Sequence, residues 1–118
     1  MDKIDIFGYR FIDGTDIVSK YLVIEIKKGT ADISAITQLA KYVDWVCKEY
    51  AYGDYSALEG YILAYDYTEE AIRKKNDICV RQYTQGSHPI ENKEWIDIKL
   101  IKYSYDDGCL QYTEEPNI

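Results

Sequence analysis

Residues 3–11 and 20–28 are short, largely apolar segments bounded by charged and turn residues, and both read as strands. The first segment, Lys3 to Phe11, runs into Asp13-Gly14-Thr15, a turn signal. The second, Lys20 to Lys28, is β-branched and apolar at its centre and stops at Gly29. A regular period runs over residues 32–50. Ile33, Ile36, Ala40, Val43, Cys47 and Tyr50 recur every three or four positions and predict a helix with one core-facing stripe, opened by Asp32 as N-cap. Residues 51–57 read as a loop and 59–67 as a strand. Thr68 caps a short helix over Glu69 to Lys75, with acids first and the bases Arg73-Lys74-Lys75 last, as the helix dipole prefers. Residues 77–84, with Cys79 as a core or edge position, and 95–105 read as strands. Asp107-Gly108 turns the chain into a last short strand over 109–113. The order β-β-α-β-α-β-β-β predicts an α/β (α+β) fold: a central mixed β-sheet with one long helix and one short helix packed on it.

The chain's 118 residues suit a single domain over 1–118, or a piece of a larger protein. A composition 47% apolar and 30% charged belongs to a globular chain rather than a disordered one. No apolar run approaches the ~18–20 residues of a membrane helix, and Met1-Asp2-Lys3-Ile4 opens no signal-peptide pattern. Cys47, Cys79 and Cys109 are odd in number and too far apart for a disulfide framework or a zinc knuckle, so a reducing, cytoplasmic setting is expected. His88, beside Pro89 in a loop, is the only histidine. That rules out a multi-histidine metal site within this chain and argues against a Ser–His triad. Chemistry is left to carboxylates, lysines and backbone. The net charge of −7 speaks against a nucleic-acid partner. It is unevenly spread, however: residues 1–50 carry seven basic and eight acidic side chains, residues 51–118 seven and thirteen.

On the second strand, Leu22, Ile24 and Ile26 share one face and Tyr21, Val23, Glu25 and Lys27 the other, which turns from apolar to charged towards its end. Glu25 and Lys27 thus point into one space, and burying such a pair is costly without a partner or a task. Taken alone, Glu-X-Lys is equally an ion pair at a strand end. If the first two strands pair as a hairpin, Asp5 comes near Glu25. The long helix then adds a second ridge, Gln38, Tyr42 and Trp45, off its core stripe. Ser34, Thr37, Lys41, Asp44 and Lys48 fill the solvent sector.

Asp5, then Glu25-Ile26-Lys27, then Gln38-Leu39-Ala40-Lys41-Tyr42 resembles the PD-(D/E)XK nuclease superfamily, in particular its RecB-like and NucS-like members with a Q-x-x-x-Y helix. The likeness covers residues 3 to about 66. It implies a restriction-endonuclease-like core and a Mg²⁺- or Mn²⁺-dependent phosphodiesterase acting on DNA, as an endo- or exodeoxyribonuclease. Asp5 and Glu25, with the carbonyl of Ile26, would hold the ion. Lys27 would orient or help deprotonate the attacking water and offset transition-state charge. Gln38 would hold a water or a phosphate, Tyr42 would brace the site or touch the strand, and Lys28 and Lys41 would meet phosphate. The chain begins almost at Asp5, where relatives often place a further helix with an acidic residue. An N-terminally short core of this kind leaves one sheet face poorly covered, so a second copy or a neighbouring domain is expected there. Two other readings stand beside this one. The first is an inactive nuclease-like fold serving as a binding or oligomerisation module, which the acidic second half and the 13 tyrosines suit. The second is an unrelated interaction domain with a chance Glu-X-Lys.

Overall fold

A computed structural model describes residues 5–106 and 108–114. Its strands are β1 (Ile6–Phe11), β2 (Val18–Ile26), β3 (Thr30–Ala31), β4 (Leu58–Ala64), β5 (Asp66–Tyr67), β6 (Arg81–Gln85), β7 (Glu91–Trp95), β8 (Ile98–Asp106) and β9 (Cys109–Glu114). The helices are α1 (Ile33–Tyr50) and α2 (Glu69–Cys79), with a 3₁₀ turn at Tyr55–Ala57. Five strands make one mixed sheet in the order β1-β2-β4-β8-β9. The outer pairs β1/β2 and β8/β9 are antiparallel, and β4 runs parallel to both β2 and β8. Two small ladders stand apart, parallel β3/β5 and the antiparallel hairpin β6/β7. This is the mixed sheet with a long and a short helix that the residue pattern predicts.

Local chemistry explains most of the boundaries. The β1–β2 turn closes with the Ile12 amide donating to the Ile17 carbonyl at 2.9 Å, and Gly14 supplies its left-handed residue at φ 76°. Asp32 caps α1, its carboxylate accepting from the amides of Ser34 and Ala35. The Thr68 hydroxyl accepts from the Ala71 amide at the start of α2.

Alternation along β2 and β4 sends Val23, Glu25, Leu58, Gly60, Ile62 and Ala64 inward, under α1. Gly60 permits that approach, because a Cβ there would lie 2.9 Å from Ile98 Cγ1 and 3.4 Å from Val43 Cγ2. On the other face Leu22 and Ile24 are half-buried, while Ile6 and Ile26 are 43% and 45% exposed.

Several expectations need correction. The strand read over 77–84 begins only at Arg81, and residues up to Cys79 continue α2. Ala71, Lys75 and Cys79, four apart, all face inward, and this shared buried face overrides the β-propensity of Ile78-Cys79-Val80. Arg73-Lys74-Lys75 therefore sits in mid-helix rather than at its end, and Lys75 is buried. The strand read over 59–67 breaks after Ala64, where the Tyr65 amide leaves the sheet for the Gly29 carbonyl. The strand read over 95–105 begins only at Ile98, after a tight turn at Ile96-Asp97 in which the Ile98 amide donates to the Ile96 carbonyl, and Trp95 instead ends β7, a strand over Glu91–Trp95 that the residue pattern does not predict. On α1 the buried stripe is wider than the one read. Ala35, Leu39, Tyr42 and Val46 join it, whereas Tyr50 is exposed. Asp44 is not merely solvated: Arg81 Nε and the Tyr55 hydroxyl donate to its Oδ1 at 2.7 and 2.8 Å.

Candidate active site

The site forms where β1 enters the sheet and β2 leaves it. Antiparallel pairing sets Ile6 opposite Ile24, so one step outward Asp5 faces Glu25. The Asp5 carboxylate turns back on the partner strand, and its Oδ2 accepts from the Ile26 amide at 2.9 Å. That bond uses an amide at the strand end and fixes the acid against β2. Lys27 lies just past β2, with its own amide donating to the Leu63 carbonyl at 2.8 Å. Alternation brings its side chain back beside Glu25, with Nζ 3.8 Å from Glu25 Oε1.

Glu25 is the unusual group. It is 4% exposed, and its Oε2 is buried with no hydrogen-bond partner. A lone buried carboxylate oxygen costs free energy that folding does not return. Burial raises its pKa above the ordinary glutamate value, and the Asp5 charge raises it further. The Lys27 ammonium opposes both without cancelling them. A divalent cation would meet what Oε2 lacks, and the hard oxygens of Asp5, Glu25 and the Ile26 carbonyl are donors that Mg²⁺ or Mn²⁺ accepts. The donor set is lean. Among the described residues no group of three or more His, Cys, Asp and Glu side chains could hold a metal ion. Water and phosphate would complete the shell, as they commonly do for Mg²⁺.

The raised pKa has a consequence for stability. A carboxyl whose folded pKa exceeds its unfolded one carries a penalty that is absent below the unfolded value and complete above the folded one. Glu25→Gln removes that penalty. Without added metal the variant should melt above the parent at pH 7, by about 2–5 °C, and the gain should vanish as the pH falls below the ordinary glutamate range. Added Mn²⁺ should raise the melting temperature of the parent and leave Glu25→Gln unmoved. Melting curves at pH 7 and pH 4, with and without Mn²⁺, check all of this.

The remaining predicted residues divide. Gln38 Nε2 donates to the Tyr42 hydroxyl at 2.6 Å, one helical turn on. Tyr42 is not on a ridge off the core. At 2% exposure it lies within it. Lys28 and Lys41 are exposed. Trp45 is partly exposed and packs edge-on against Tyr50. One neighbour of the site went unread in the sequence. Tyr103, on β8, donates its hydroxyl to the carbonyls of Lys27 and Lys28 at 3.1 and 3.0 Å.

Residues 4–102 match the sequence family described as the endonuclease NucS C-terminal domain. The chain belongs to that family. The matched span of this NucS C-terminal domain holds Asp5, Glu25, Lys27, Gln38 and Tyr42, and stops one residue short of Tyr103. Among solved structures, the apo form of EndoMS is similar at 27% identity and a TM-score of 0.41, over 57% of this chain and 32% of that one. A repair endonuclease from Pyrococcus abyssi is similar at 27% identity and a TM-score of 0.40, over 55% and 31%. The EndoMS-dsDNA2 complex is similar at 26% identity and 0.40, over 57% and 31%. The aligned region thus spans about a third of the length of these solved relatives. Among curated proteins none matches the chain. No helix among the described residues is long and apolar enough to cross a membrane.

Proposed function

We propose that this chain is a Mg²⁺- or Mn²⁺-dependent nuclease domain of the PD-(D/E)XK type that hydrolyses phosphodiester bonds in DNA. The observation that carries the reading is Glu25: a buried carboxylate with one unpartnered oxygen, set between a second acid and a lysine. A fold that pays for such a group without using it is hard to account for on stability alone. Membership of the NucS C-terminal domain family supports the nuclease reading, and the order Asp5, Glu25-Ile26-Lys27, Gln38, Tyr42 supports the superfamily.

In this reading Asp5, Glu25 and the Ile26 carbonyl hold the ion, which when bound neutralises phosphate charge and acidifies the attacking water. Lys27, partly exposed beside Glu25, orients that water and offsets the charge that grows on the phosphoryl oxygens. Gln38, fixed by Tyr42, presents its amide to a water or a phosphate. Lys28 and Lys41 offer exposed ammonium groups to the DNA backbone. A second copy or an adjoining domain of a longer protein would cover the open sheet face around Ile6 and Ile26.

The test compares the protein with Glu25→Gln on labelled single-stranded, duplex and branched DNA, with and without Mn²⁺. Cleavage should require the metal and fall at least about 100-fold in the variant. Equal cleavage by both proteins would defeat the assignment of Glu25. No metal-dependent cleavage of any substrate would favour the inactive binding module, which the open sheet face also suits.

A further inference from the structure

The geometry points to Tyr103 as a positioning residue: its hydroxyl fixes the strand exit that carries Lys27, and so sets the lysine against Glu25. This rests on the reading of Glu25 and Lys27 as a working pair.

β2 stops at Ile26, and the next ladder, β3/β5, begins only at Thr30. The chain between them must bend, and a bend takes carbonyls out of the sheet. The amide side of this segment is secured, Lys27 donating to Leu63. Further on, the Gly29 carbonyl accepts from the Tyr65 amide at 3.2 Å. The carbonyls of Lys27 and Lys28 lie between these two anchors, and the Tyr103 hydroxyl binds both, its proton shared in a three-centre bond. The Lys27 backbone is thereby held from two strands at once, by β4 through its amide and by β8 through its carbonyl.

The placement of Tyr103 follows from the sheet. Parallel pairing ends at Ala64 opposite Lys102, so the next residue of β8 stands beyond the end of β4 with a clear reach to the exit of β2. Its ring packs edge-on against Tyr65 at 6.3 Å, which limits how far it can swing. A long, partly exposed lysine finds one geometry only if its backbone is fixed, because its side chain has several rotatable bonds. The hydroxyl touches neither carboxylate, so its effect reaches the site through Lys27.

Tyr103→Phe keeps the ring packing and removes only the hydroxyl. Two measurements on the full chain decide the matter. Hydrogen exchange should quicken about tenfold at the amides of Lys27 and Tyr65, with amides of β4 and α1 quickened less. In Mn²⁺, kcat on the best DNA substrate should fall about tenfold, with KM within about twofold and the melting temperature lowered by no more than the roughly 5–10 °C that one lost hydrogen bond of this strength costs. Three results overturn the proposal: unchanged exchange at Lys27 and Tyr65; local quickening with kcat unaltered; or greater quickening throughout the fold with a melting temperature lowered beyond that range, which would make Tyr103 a general stabiliser. If the parent itself cleaves nothing, the nuclease reading has failed separately. Exchange then decides alone: local quickening upholds the restraint on Lys27, and unchanged exchange removes it.

Discussion

Lys27→Met should lower DNA cleavage by about 10²–10⁴-fold in kcat while leaving duplex affinity within a few-fold. The reasoning begins with the side chain's position. Nζ stands 3.8 Å from Glu25 Oε1 and is partly open to solvent, so it can face a bound phosphate without leaving the carboxylate. Methionine keeps the apolar stem and deletes the charge. One lost ammonium among the several phosphate contacts of a nuclease changes binding little. A charge opposite the growing negative charge of the transition state matters far more. There is a second effect to separate. Lys27 also holds the Glu25 pKa down against burial and Asp5, so its removal pushes the carboxyl further towards the protonated form, which binds a cation poorly. Lys27→Arg distinguishes the two. It restores the positive charge beside Glu25 but offers a planar fork in place of a compact ammonium. If the lysine serves mainly to keep Glu25 ionised, Arg should rescue most of the activity, and raising the pH should partly rescue Met. If it acts on the phosphate or water, Arg should rescue little and pH should not help Met. Activity of Lys27→Met within about threefold of the parent, at saturating Mn²⁺, would remove Lys27 from the reaction.

The parts of this site that are local in sequence are legible there. Glu25 and Lys27 share a strand face because alternation demands it, and the strand's drift from Val23 to Glu25 already marks a carboxylate pointing inward. The hairpin that brings Asp5 near Glu25 is visible in the turn at Asp13-Gly14, whereas the register that sets the two opposite each other also depends on a bulge between Arg10 and Phe11 that the sequence does not announce. The first turns of α1 and α2 are equally plain, each opened by a side chain whose hydrogen bond is local. What resists reading is non-local. Tyr42 looks polar enough for a surface ridge, and only the packed fold places it in the core with its hydroxyl accepting from Gln38. α2 runs to Cys79 because its inner face packs against α1, a fact that Ile78-Cys79-Val80 does not announce. Glu91 to Glu94 has almost no strand character and pairs because β6 lies opposite. Tyr103 meets Lys27 across 76 positions, through a register set by β4. Among 13 tyrosines nothing local marks it out.

Trp95→Ala should cost about 3–5 kcal/mol of stability, the largest loss expected from one core truncation here. Against a total of roughly 5–15 kcal/mol for a domain, that removes a large share of the folding free energy. In β7 Trp95 is the one inward residue, and the four before it are exposed. It therefore does most of the work of holding that strand to the rest. Its ring packs against Tyr55 with centroids 5.6 Å apart, and Tyr83 from β6 also meets Tyr55, at 6.0 Å. Its Nε1 donates to the Leu58 carbonyl at 3.0 Å, at the first residue of β4. The hairpin's other attachment is charged. Arg81, at the start of β6, grips Asp44 of α1 with Nε and Nη2 at 2.7 and 3.1 Å. The Trp95 anchor thus ties the hairpin to the sheet and the Arg81 anchor ties it to the helix. Trp95→Phe separates the contributions: it retains most of the apolar contact but leaves the Leu58 carbonyl without its donor, a loss of about 1–3 kcal/mol. Urea denaturation should therefore rank the midpoints parent, Phe, Ala. Trp95 lies beside the start of β4, whereas Leu63, which receives the Lys27 amide, lies near its other end. Both variants should then cleave DNA at close to the parent's rate at temperatures well below their melting points. A loss of cleavage in folded Trp95→Phe would mean that the hairpin contributes to the site itself. An unfolding free energy for Trp95→Ala within about 1 kcal/mol of the parent's would mean that Arg81 and Asp44 alone hold it in place.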